Sequence, residues 1–600
     1  MKRYILPLLL LSALLLTGCN DAFMNRQPKT EIGASNFFNS EEDLKMYIYG
    51  LYNFPGHGNY AADGGTDNQA TTSGSVEIKN IMLAPAPNSS TITGGWSWSR
   101  LKEINFFLSH AQEAPIPDEV KNHYIGVARF FRARFYMGMV KRYSDIPWYD
   151  DYIEADNEEL LFKGRDPRSL VVERLMADYE FAAKHVRADQ PDGAVDKWTV
   201  LTYYSRDALY EGTFRKYHPE LKLESTATAF LQLARDKAKE VMDANVFAIH
   251  STGDIDSDYL ELFRSTDLSG NPEMILVTYY DGKEVKAGTS EWNFGNYEPS
   301  PAKDLLQAYL MRDGSYYSSQ EGYREFEFVK EFENRDPRLS QTYAYPGWEL
   351  LQTNTYVSGA GLYVQQLNKN FTGYHLIKGF TNNKEREVQD QRDYPVLRYA
   401  EVLLNYAEAM AELGTFDKNV ADRTVNLLRR RVGMPDFDMS PMPEPLSVSK
   451  YGDISPLLQE VRRERRVELA FEGHRYDDLM RWGAGKVLER VPEGLYFPSL
   501  GKFDLNGDGI EDIHLISTSE DIPADDDKEV NSLGQKLVYY RTGPISDSRA
   551  TVYLSEGDKG VIVTATTMGR FEVPKYYYRP IPAKEMSLND NLGPQLFGWN

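Results

Sequence analysis

The chain has 600 residues, 42% hydrophobic and 26% charged, a composition typical of folded proteins with two or three domains. These fractions exclude a disordered chain, a collagen-like repeat and a polytopic membrane protein. Asp and Glu total 89 against 67 Lys and Arg, and the net charge of −22 repels polyanions, so we expect no nucleic-acid partner. Aromatic residues reach 13% and supply many flat apolar faces with polar edges.

The N-terminus has the composition of an export signal. Lys2 and Arg3 precede an apolar run from Ile5 to Leu16, which is shorter than the roughly 20 residues that cross a bilayer. Residues 16–19, LTGC, resemble the bacterial lipobox, in which the signal is cut before a cysteine that is then lipidated. We predict a signal peptide at 1–18 and a lipidated Cys19 with a tether at 19–35; an ordinary signal peptide with a chance cysteine is the alternative. Because Cys19 is the only cysteine, we expect no disulfide and no thiolate metal site.

Amphipathic helices dominate the prediction for residues 36–245. Ser40 followed by Asp43 is a capping-box pattern. Residues 122–143 are apolar on nearly every face apart from basic residues, which predicts a central buried helix that ends before Pro147. Further helices are predicted at 171–182, 198–218 and 227–241. The Gly-, Asn- and Thr-rich stretch 56–74 predicts a long loop, and long loops tend to be functional or mobile.

The chain changes character at residues 246–395, where short apolar runs between turn residues predict loops, short strands and a few short helices. In residues 396–600, helices are predicted at 399–410, with Gly414 as the C′ residue, and at 421–432. Ser455 and Pro456 are candidate N-cap and N1 residues of a third helix that runs to Trp482. Such pairs resemble tetratricopeptide units, although no clean repeat of about 34 residues is found.

The chain contains six phrases with a characteristic order: GVARFFRARFYMGMVKRYSDIPW, ALYEGTFRKYH, RYAEVLLNYAEAMAELG, RRRVGMP, ERRVELAFEGHRYDDLMRW and YYYRPIPAKEMSLNDNLGPQLFGWN. Together these phrases resemble the SusD/RagB family of outer-membrane lipoproteins from glycan-uptake systems. The resemblance runs in family order from about residue 36 to 600 and agrees with the lipobox. It implies a mainly α fold, with four tetratricopeptide-like helix pairs as a scaffold and a loop-rich remainder with short strands that contacts the ligand. It also implies an outer-membrane location facing the cell exterior and a SusC-like TonB-dependent transporter as partner.

Charged residues of both signs crowd the third C-terminal helix. On a helix, neighbours three and four positions apart can form ion pairs, and aromatic residues on the same turns indicate packing. We interpret these charges as a structural connection to neighbouring segments. The alternative is an anion site for residues 462–468 and a catalytic cluster for residues 474–478. The residues are Arg462, Arg463, Glu464, Arg465, Arg466, Glu468, His474, Arg475, Asp477 and Asp478.

Motifs of known catalytic chemistry are missing from the sequence. It has no HExxH, no GxSxG, no phosphate-binding GxxxxGK[ST] loop and no GxGxxG after a predicted strand. A carboxylate pair for glycoside hydrolysis has no fixed spacing in sequence, so that alternative stays open. We expect a protein that is not an enzyme.

Glycan binding needs flat aromatic platforms for sugar rings and planar polar groups for hydroxyls. Trp96, on the loop side of a predicted helix start, is the preferred platform, whereas Trp98 is expected to pack in the core. Asp67 and Asn68 lie in the long loop and could reach sugar hydroxyls or merely shape Asx turns. Aromatic and amide residues of the central loops complete the predicted ligand site: Trp292, Asn296, Tyr297 and Trp348, with Tyr345 beside it.

The stretch DLNGDGIED matches the first nine positions of a Ca²⁺ loop. An EF-hand requires Glu at position 12 of the loop, and this chain has Leu515 there. A smaller oxygen cage is still chemically sensible, and a plain Gly-Asp turn is the alternative. The predicted ligands are Asp504, Asn506, Asp508, the carbonyl of Ile510 and Asp512. We expect any Ca²⁺ here to be structural and no cofactor to be required.

Three functions follow from these observations. The preferred one is a cell-surface lipoprotein that captures oligosaccharides and delivers them to the SusC-like transporter. The alternatives are a peptide-binding lid of a peptide transporter and a scaffold that binds no soluble ligand.

Overall fold

The structure, a computed structural model, describes residues 38–71, 76–154, 156–288, 300–351, 361–369 and 371–600. The predicted signal peptide, Cys19 and the tether lie outside these residues. No helix in the described ranges is long and apolar enough to cross a membrane.

Helices supply most of the regular structure, in agreement with the predicted fold class. The α-helices are α1 (Glu41–Tyr49), α2 (Glu77–Leu83), α3 (Ser99–Ala111), α4 (Asp118–Tyr143), α5 (Glu158–Leu161), α6 (Arg168–His185), α7 (Lys197–Tyr217), α8 (Ala227–Ala244), α9 (Asp258–Arg264), α10 (Lys303–Ala308), α11 (Phe328–Glu331), α12 (Pro337–Ser340), α13 (Arg386–Asp390), α14 (Tyr399–Glu412), α15 (Lys418–Arg423), α16 (Val425–Arg431), α17 (Pro445–Tyr451), α18 (Pro456–Glu468), α19 (Arg475–Arg481) and α20 (Ala583–Leu588).

The strands are short and form small sheets, as predicted. They are β1 (Gln69–Ala70), β2 (Met274–Thr278), β3 (Ser300–Pro301), β4 (Glu349–Leu350), β5 (Gly361–Leu362), β6 (Tyr394–Arg398), β7 (Glu493–Phe497), β8 (Gly501–Phe503), β9 (Ile513–Ser517), β10 (Val538–Gly543), β11 (Val552–Tyr553) and β12 (Gly560–Val563). One sheet has the order β11-β10-β9-β8, and the other strands pair as β1-β3, β12-β7, β2-β6 and β4-β5.

Local sequence patterns predicted the N-terminal helices correctly in two places. Ser40 and Asp43 form the predicted capping box of α1. The predicted central helix is α4, which has 26 residues and buries many side chains between His123 and Tyr143. Its end at Tyr143 agrees with the predicted stop before Pro147.

The helices pack in a row, α3 on α4, α4 on α6, α6 on α7, α7 on α8, α8 on α14 and α14 on α18. The pairs α4–α6 and α7–α8 correspond to the helix-pair scaffold that the resemblance implies. This row encloses one large apolar core, and the loop-rich part of the chain encloses a second. Helix α18 and the turn after it reach both cores, since Leu469 belongs to the first and Val467 and Phe471 to the second.

Three predictions of local structure were wrong. The third C-terminal helix does not run to Trp482 but ends at Glu468, and a turn with positive φ at Phe471 and Gly473 separates it from α19. The helix predicted at 421–432 is two helices, α15 and α16, which meet at Thr424. The predicted loop 56–74 contains a 3₁₀ helix at His57–Gly65 and strand β1.

Candidate functional site

Trp96 and Trp98 stand at the start of α3, where they line an open groove. Trp98 is the residue that precedes the first turn of α3, and both side chains are partly buried. The two rings meet edge to face with centroids 5.4 Å apart, and Trp96 makes a similar contact with Tyr143 at 4.9 Å. We name this feature the Trp96 groove; its volume is about 620 Å³. Its other lining residues are Ser99, Leu101, Lys102, Asn105, Pro147, Tyr149, Asp151, Tyr152, Ile153, Glu154, Leu161, Phe162, Glu585, Leu588, Asn589 and Leu592.

Hydrogen bonds to main-chain carbonyls hold the walls of the Trp96 groove. The buried amide of Asn105 on α3 donates to the carbonyls of Tyr149, at 3.1 Å, and Asp151, at 3.0 Å. On the opposite wall, Asn589 after α20 donates to the carbonyl of Lys163 at 3.0 Å. Tyr149 and Asp151 are therefore held by α3, and Lys163 is held by the C-terminal part of the chain.

Asp67 and Asn68 are tied into the protein interior. The Asp67 carboxylate is 5% exposed and pairs with Arg475 at 2.8 Å, Arg466 at 3.1 Å and Lys450 at 3.3 Å. Burial would raise the pKa of Asp67, but these cations outweigh it and hold the pKa well below its usual range. Asp67 also borders a cavity of about 460 Å³.

Asn68 is fully buried. Its amide group donates to Asp63 at 2.8 Å, and its carbonyl oxygen accepts from Arg466, also at 2.8 Å. These contacts correct the predicted role of Asn68, because a side chain without exposed surface does not reach a sugar in this structure. The ion pairs of Asp67 with Arg475, Arg466 and Lys450 give that residue a structural role.

Trp348 is only 8% exposed. Its ring packs edge to face against Tyr363 and Phe380 in a small separate core. This burial corrects the prediction of Trp348 as a platform. The other predicted residues of the central loops, Trp292, Asn296 and Tyr297, lie outside the described residues.

A second opening, which the sequence did not indicate, lies where β11 and β12 meet Leu367, Asn368 and Phe371. We name it the neutral cleft; its volume is about 400 Å³. Two partly buried rings, Phe371 and Tyr553, line it together with the exposed side chains of Asn368 and Thr551. No charged side chain of the described residues lines it. The remaining lining residues are Thr71, Leu83, Leu367, Val552, Ile562, Val563, Thr564, Ala565 and Met568.

Strand pairing and a loop contact build the neutral cleft. Leu554 and Ile562 pair in an antiparallel bridge that brings β11 and β12 together. Phe371 donates its backbone N–H to the Ser300 hydroxyl at 3.0 Å, next to the pairing of β3 with β1. A local signal did exist in β11, since Thr551 and Tyr553 face outward while Val552 and Leu554 are buried. No local sequence pattern indicated that Phe371 lines the cleft.

The predicted calcium loop is closed by its own hydrogen bonds. Asp504 accepts backbone N–H groups of Asn506, Gly507 and Gly509. Asp508 accepts the N–H of Ile510 at 2.8 Å, and Asp512 accepts the N–H of Leu505 at 2.8 Å. Burial, with a smaller contribution from Asp504 and Asp508, raises the pKa of Asp512 to about 7. No group of three or more His, Cys, Asp or Glu side chains in the described ranges is arranged to hold a metal ion, so Ca²⁺ stays a prediction.

The charges of α18 and α19 are structural, as interpreted from the sequence. Glu464 and Glu468 pair with Arg338, and Arg462 pairs with Glu412 on α14. Asp478 pairs with Arg465 at 3.0 Å and with Arg481 at 2.8 Å. Burial, helped by Arg206 and Arg465, lowers the pKa of His474 to about 4, so this ring is neutral at physiological pH.

Comparison with known proteins agrees with this architecture. The sequence profile of the SusD family matches residues 261–599, and the chain belongs to that family. SusD-like protein P2 of Formosa agariphila is 25% identical over 535 residues, which cover 85% of this chain and 95% of the relative.

Two solved structures extend the comparison. A SusD-like carbohydrate binding protein from Bacteroides fragilis superposes with a TM-score of 0.64 at 21% identity, over 93% of this chain and 100% of that one. A laminarin binding SusD-like protein superposes with a TM-score of 0.50 at 18% identity, over 75% of this chain and 92% of that one. At these identities the structures establish a shared fold.

Proposed function

We propose that this protein is a cell-surface glycan-binding lipoprotein that captures oligosaccharides and delivers them to a SusC-like TonB-dependent transporter. Membership of the SusD family supports the general role. The names of two structural neighbours, one carbohydrate binding and one laminarin binding, point to sugars as ligands. The observation that carries the proposal is the neutral cleft.

The lining of the neutral cleft matches the surface of a pyranose. One face of a pyranose presents C–H groups that pack on aromatic rings, and Phe371 and Tyr553 provide such rings. The rim of the sugar presents hydroxyls, which can bond to the amide of Asn368 and to the hydroxyls of Thr551 and Thr564. The described residues of the cleft lining carry no charge that could pair with an anionic sugar, and the whole chain has a net charge of −22. Both features favour neutral sugars over uronates and sulfated chains.

The test measures binding to neutral polysaccharides such as laminarin, amylopectin and galactomannan, with alginate and a peptide mixture for comparison. Affinity electrophoresis identifies the best ligand, and calorimetry gives its Kd. Each stacked ring contributes about 0.5–1.5 kcal/mol, so replacing Phe371 and Tyr553 together by Ala should weaken binding about fivefold or more. Tyr49→Ala, at a ring that is 45% exposed on α1, is the matched control.

The possible outcomes separate the three functions. Binding to peptides but to no polysaccharide would favour the peptide-binding lid. Binding to nothing in the panel would favour the assembly scaffold. Polysaccharide binding that survives the double replacement would remove the neutral cleft as the site.

The anchoring part of the proposal depends on Cys19, which follows the lipobox-like residues 16–18. A lipidated cysteine would hold the protein at the outer membrane, facing the cell exterior, because two or more acyl chains give stable anchoring. Radiolabelled palmitate should enter the wild-type protein and not the Cys19→Ala variant, which should leave the membrane fraction. An unlabelled wild-type protein in the soluble fraction would refute the anchor.

A further inference from the structure

We propose that the Trp96 groove is a second carbohydrate-binding site, which accepts uncharged or amino sugars and engages the same polymer as the neutral cleft. This inference rests on the proposed function, since it assumes that the protein binds glycans. The two openings share no lining residue and are built from different parts of the chain. They are therefore separate sites in the described structure.

The aromatic rings of the Trp96 groove are set in place before any ligand arrives. Edge-to-face contacts with Trp98 and Tyr143 fix Trp96, and Trp98 is in turn held against Tyr149 with centroids 5.5 Å apart. Tyr152 contacts Phe106 of α3 in the same geometry at 5.4 Å. Binding on rings that are already ordered costs little side-chain entropy, which favours the stacking of sugar faces.

The main chain between the rings is equally fixed. Asn105 is 2% exposed and holds the carbonyls of Tyr149 and Asp151. Arg132 on α4 donates to the carbonyl of Asp150 at 2.7 Å, so three successive residues of this wall are held from α3 and α4. The groove is thus a preformed feature of the helical scaffold.

The charges that line the groove define the kind of sugar. Three acidic side chains, Asp151, Glu154 and Glu585, face a single basic one, Lys102. Carboxylates accept hydrogen bonds from sugar hydroxyls and attract ammonium groups of amino sugars. They repel uronates and sulfates within the screening length of about 8 Å at physiological salt.

Exposed apolar side chains also border the groove, and a partner protein is therefore the alternative ligand. Leu161 is 43% exposed, Phe162 44% and Leu588 60%, a surface that a partner protein could cover. However, Asp and Glu are depleted from the cores of protein interfaces, whereas this lining contains three acids. The acidic lining beside fixed aromatic rings favours a glycan.

Two sites on one receptor change how it binds a polymer. When a chain is long enough to reach both sites, the second contact becomes intramolecular and raises the apparent affinity without stronger individual contacts. We therefore expect a polysaccharide to bind much more tightly than a short oligosaccharide of the same sugar.

The test uses the best-binding neutral polysaccharide of the panel and its hexasaccharide. Calorimetry should give two hexasaccharide sites for the wild-type protein, one for Trp96→Ala and one for the Phe371→Ala/Tyr553→Ala variant. Polymer affinity should fall at least tenfold in either variant.

Because Trp96→Ala could disturb packing against Tyr143, a second variant reverses charge at the rim. Asp151→Lys/Glu154→Lys changes two exposed residues and should make the protein retard in an alginate gel, a gain that misfolding does not produce. Glu113→Lys, at an exposed position outside the groove, is the control and should gain nothing.

The outcomes distinguish the inference from the proposed function. One hexasaccharide site in the wild-type protein, with binding unchanged by Trp96→Ala and no alginate gain in the double Lys variant, would overturn the second site and leave the neutral cleft intact. That result would also favour a partner protein at the groove. A wild-type protein that binds no glycan of the panel would overturn the proposed function, and the inference with it.

Discussion

Asp63 shows how one buried side chain can organise distant segments. It is fully buried, and its Oδ2 accepts hydrogen bonds from the amide of Asn68 at 2.8 Å and from the backbone N–H of Phe471 at 2.9 Å. Its other oxygen, Oδ1, has no hydrogen-bond partner among the described residues. Burial raises the pKa of Asp63, so this carboxyl is harder to ionise in the folded protein than in the unfolded chain.

Asp63→Asn should be tolerated, and its effect should depend on pH. When folding raises the pKa of an Asp carboxyl, the carboxyl does not destabilise the fold at a pH below the unfolded pKa of about 3.9. As the pH rises from there towards the folded pKa, the free energy of unfolding falls. Asn removes this loss, so the variant should gain stability relative to wild type between pH 4 and pH 8. Urea denaturation at both pH values measures the difference.

The matched control for this position is Asp63→Ala. It leaves the Asn68 amide and the Phe471 N–H without their acceptor and should cost about 1–3 kcal/mol at pH 4. The cost relative to wild type should be smaller at pH 8, because Ala also removes the ionisable carboxyl. If Asp63→Asn were as damaging as Asp63→Ala, and equally so at pH 4 and pH 8, the raised pKa of Asp63 would be refuted.

Among the elements, the turn between α18 and α19 shows why helical periodicity can mislead. The apolar and charged pattern continues through residues 469–474, yet Phe471 takes a positive φ of 62° and its N–H bonds to Asp63 instead of to its own helix. Phe471 is fully buried in the second core. The tertiary contact thus overrides a local preference for helix.

The predicted Ca²⁺ site in the loop 504–512 can be tested through its pH dependence. Ca²⁺ needs ionised oxygen ligands, and the pKa of Asp512, about 7, means that this carboxyl is mostly protonated at pH 5. Millimolar Ca²⁺ should therefore raise the melting temperature by several degrees at pH 8 and by much less at pH 5. Thermal denaturation with Ca²⁺, Mg²⁺ or a chelator provides the measurement.

Two variants decide whether such an effect comes from this loop. Asp504→Ala should abolish the Ca²⁺ response, whereas Asp526→Ala, in the fully exposed acidic run nearby, should leave it unchanged. A response that persists in Asp504→Ala, or its absence in the wild-type protein at pH 8, would leave the loop as a Gly-Asp turn.

At the scale of the whole molecule, the two apolar cores are joined by buried ion pairs around α18. Glu468 is fully buried and bonds to Arg431 at 2.7 Å, Arg338 at 3.1 Å and Arg398 at 3.2 Å. These arginines come from the central region and from two other C-terminal segments. Burial would raise the pKa of Glu468, but the three guanidinium groups outweigh it and lower the pKa.

Glu468→Ala should destabilise the whole protein by about 3–5 kcal/mol, because it leaves three arginines without a shared carboxylate. Since α18 and the turn after it reach both cores, circular dichroism and tryptophan fluorescence should lose signal at one lowered midpoint. For wild type, the lowered pKa implies stability that is present above the unfolded pKa of about 4.3 and lost as pH falls through the folded pKa.

The control for Glu468 is Glu103→Ala, which removes an exposed ion pair with Arg100 and should change stability by less than about 1 kcal/mol. Two separate transitions in Glu468→Ala, with one core unaffected, would contradict the view that α18 couples the cores.

Short-range signals determined much of the helical scaffold from the sequence alone. The capping box at Ser40, the N-cap at Ser455 and the positive φ at Gly414 were predictable because each depends on residues within about four positions. The buried character of α4 followed from its apolar residues on nearly every face. The order of family motifs identified the fold class because it spans the chain.

Only the tertiary structure decided which loop residues are accessible. Asn68 is buried because Arg466, almost 400 positions later, covers it, and Trp348 is buried because Tyr363 and Phe380 pack on its ring. The neutral cleft joins Thr71, Phe371 and Tyr553, which lie hundreds of residues apart. Periodicity reports which face of an element is buried, but not which distant segment buries it, so the site had to be found in three dimensions.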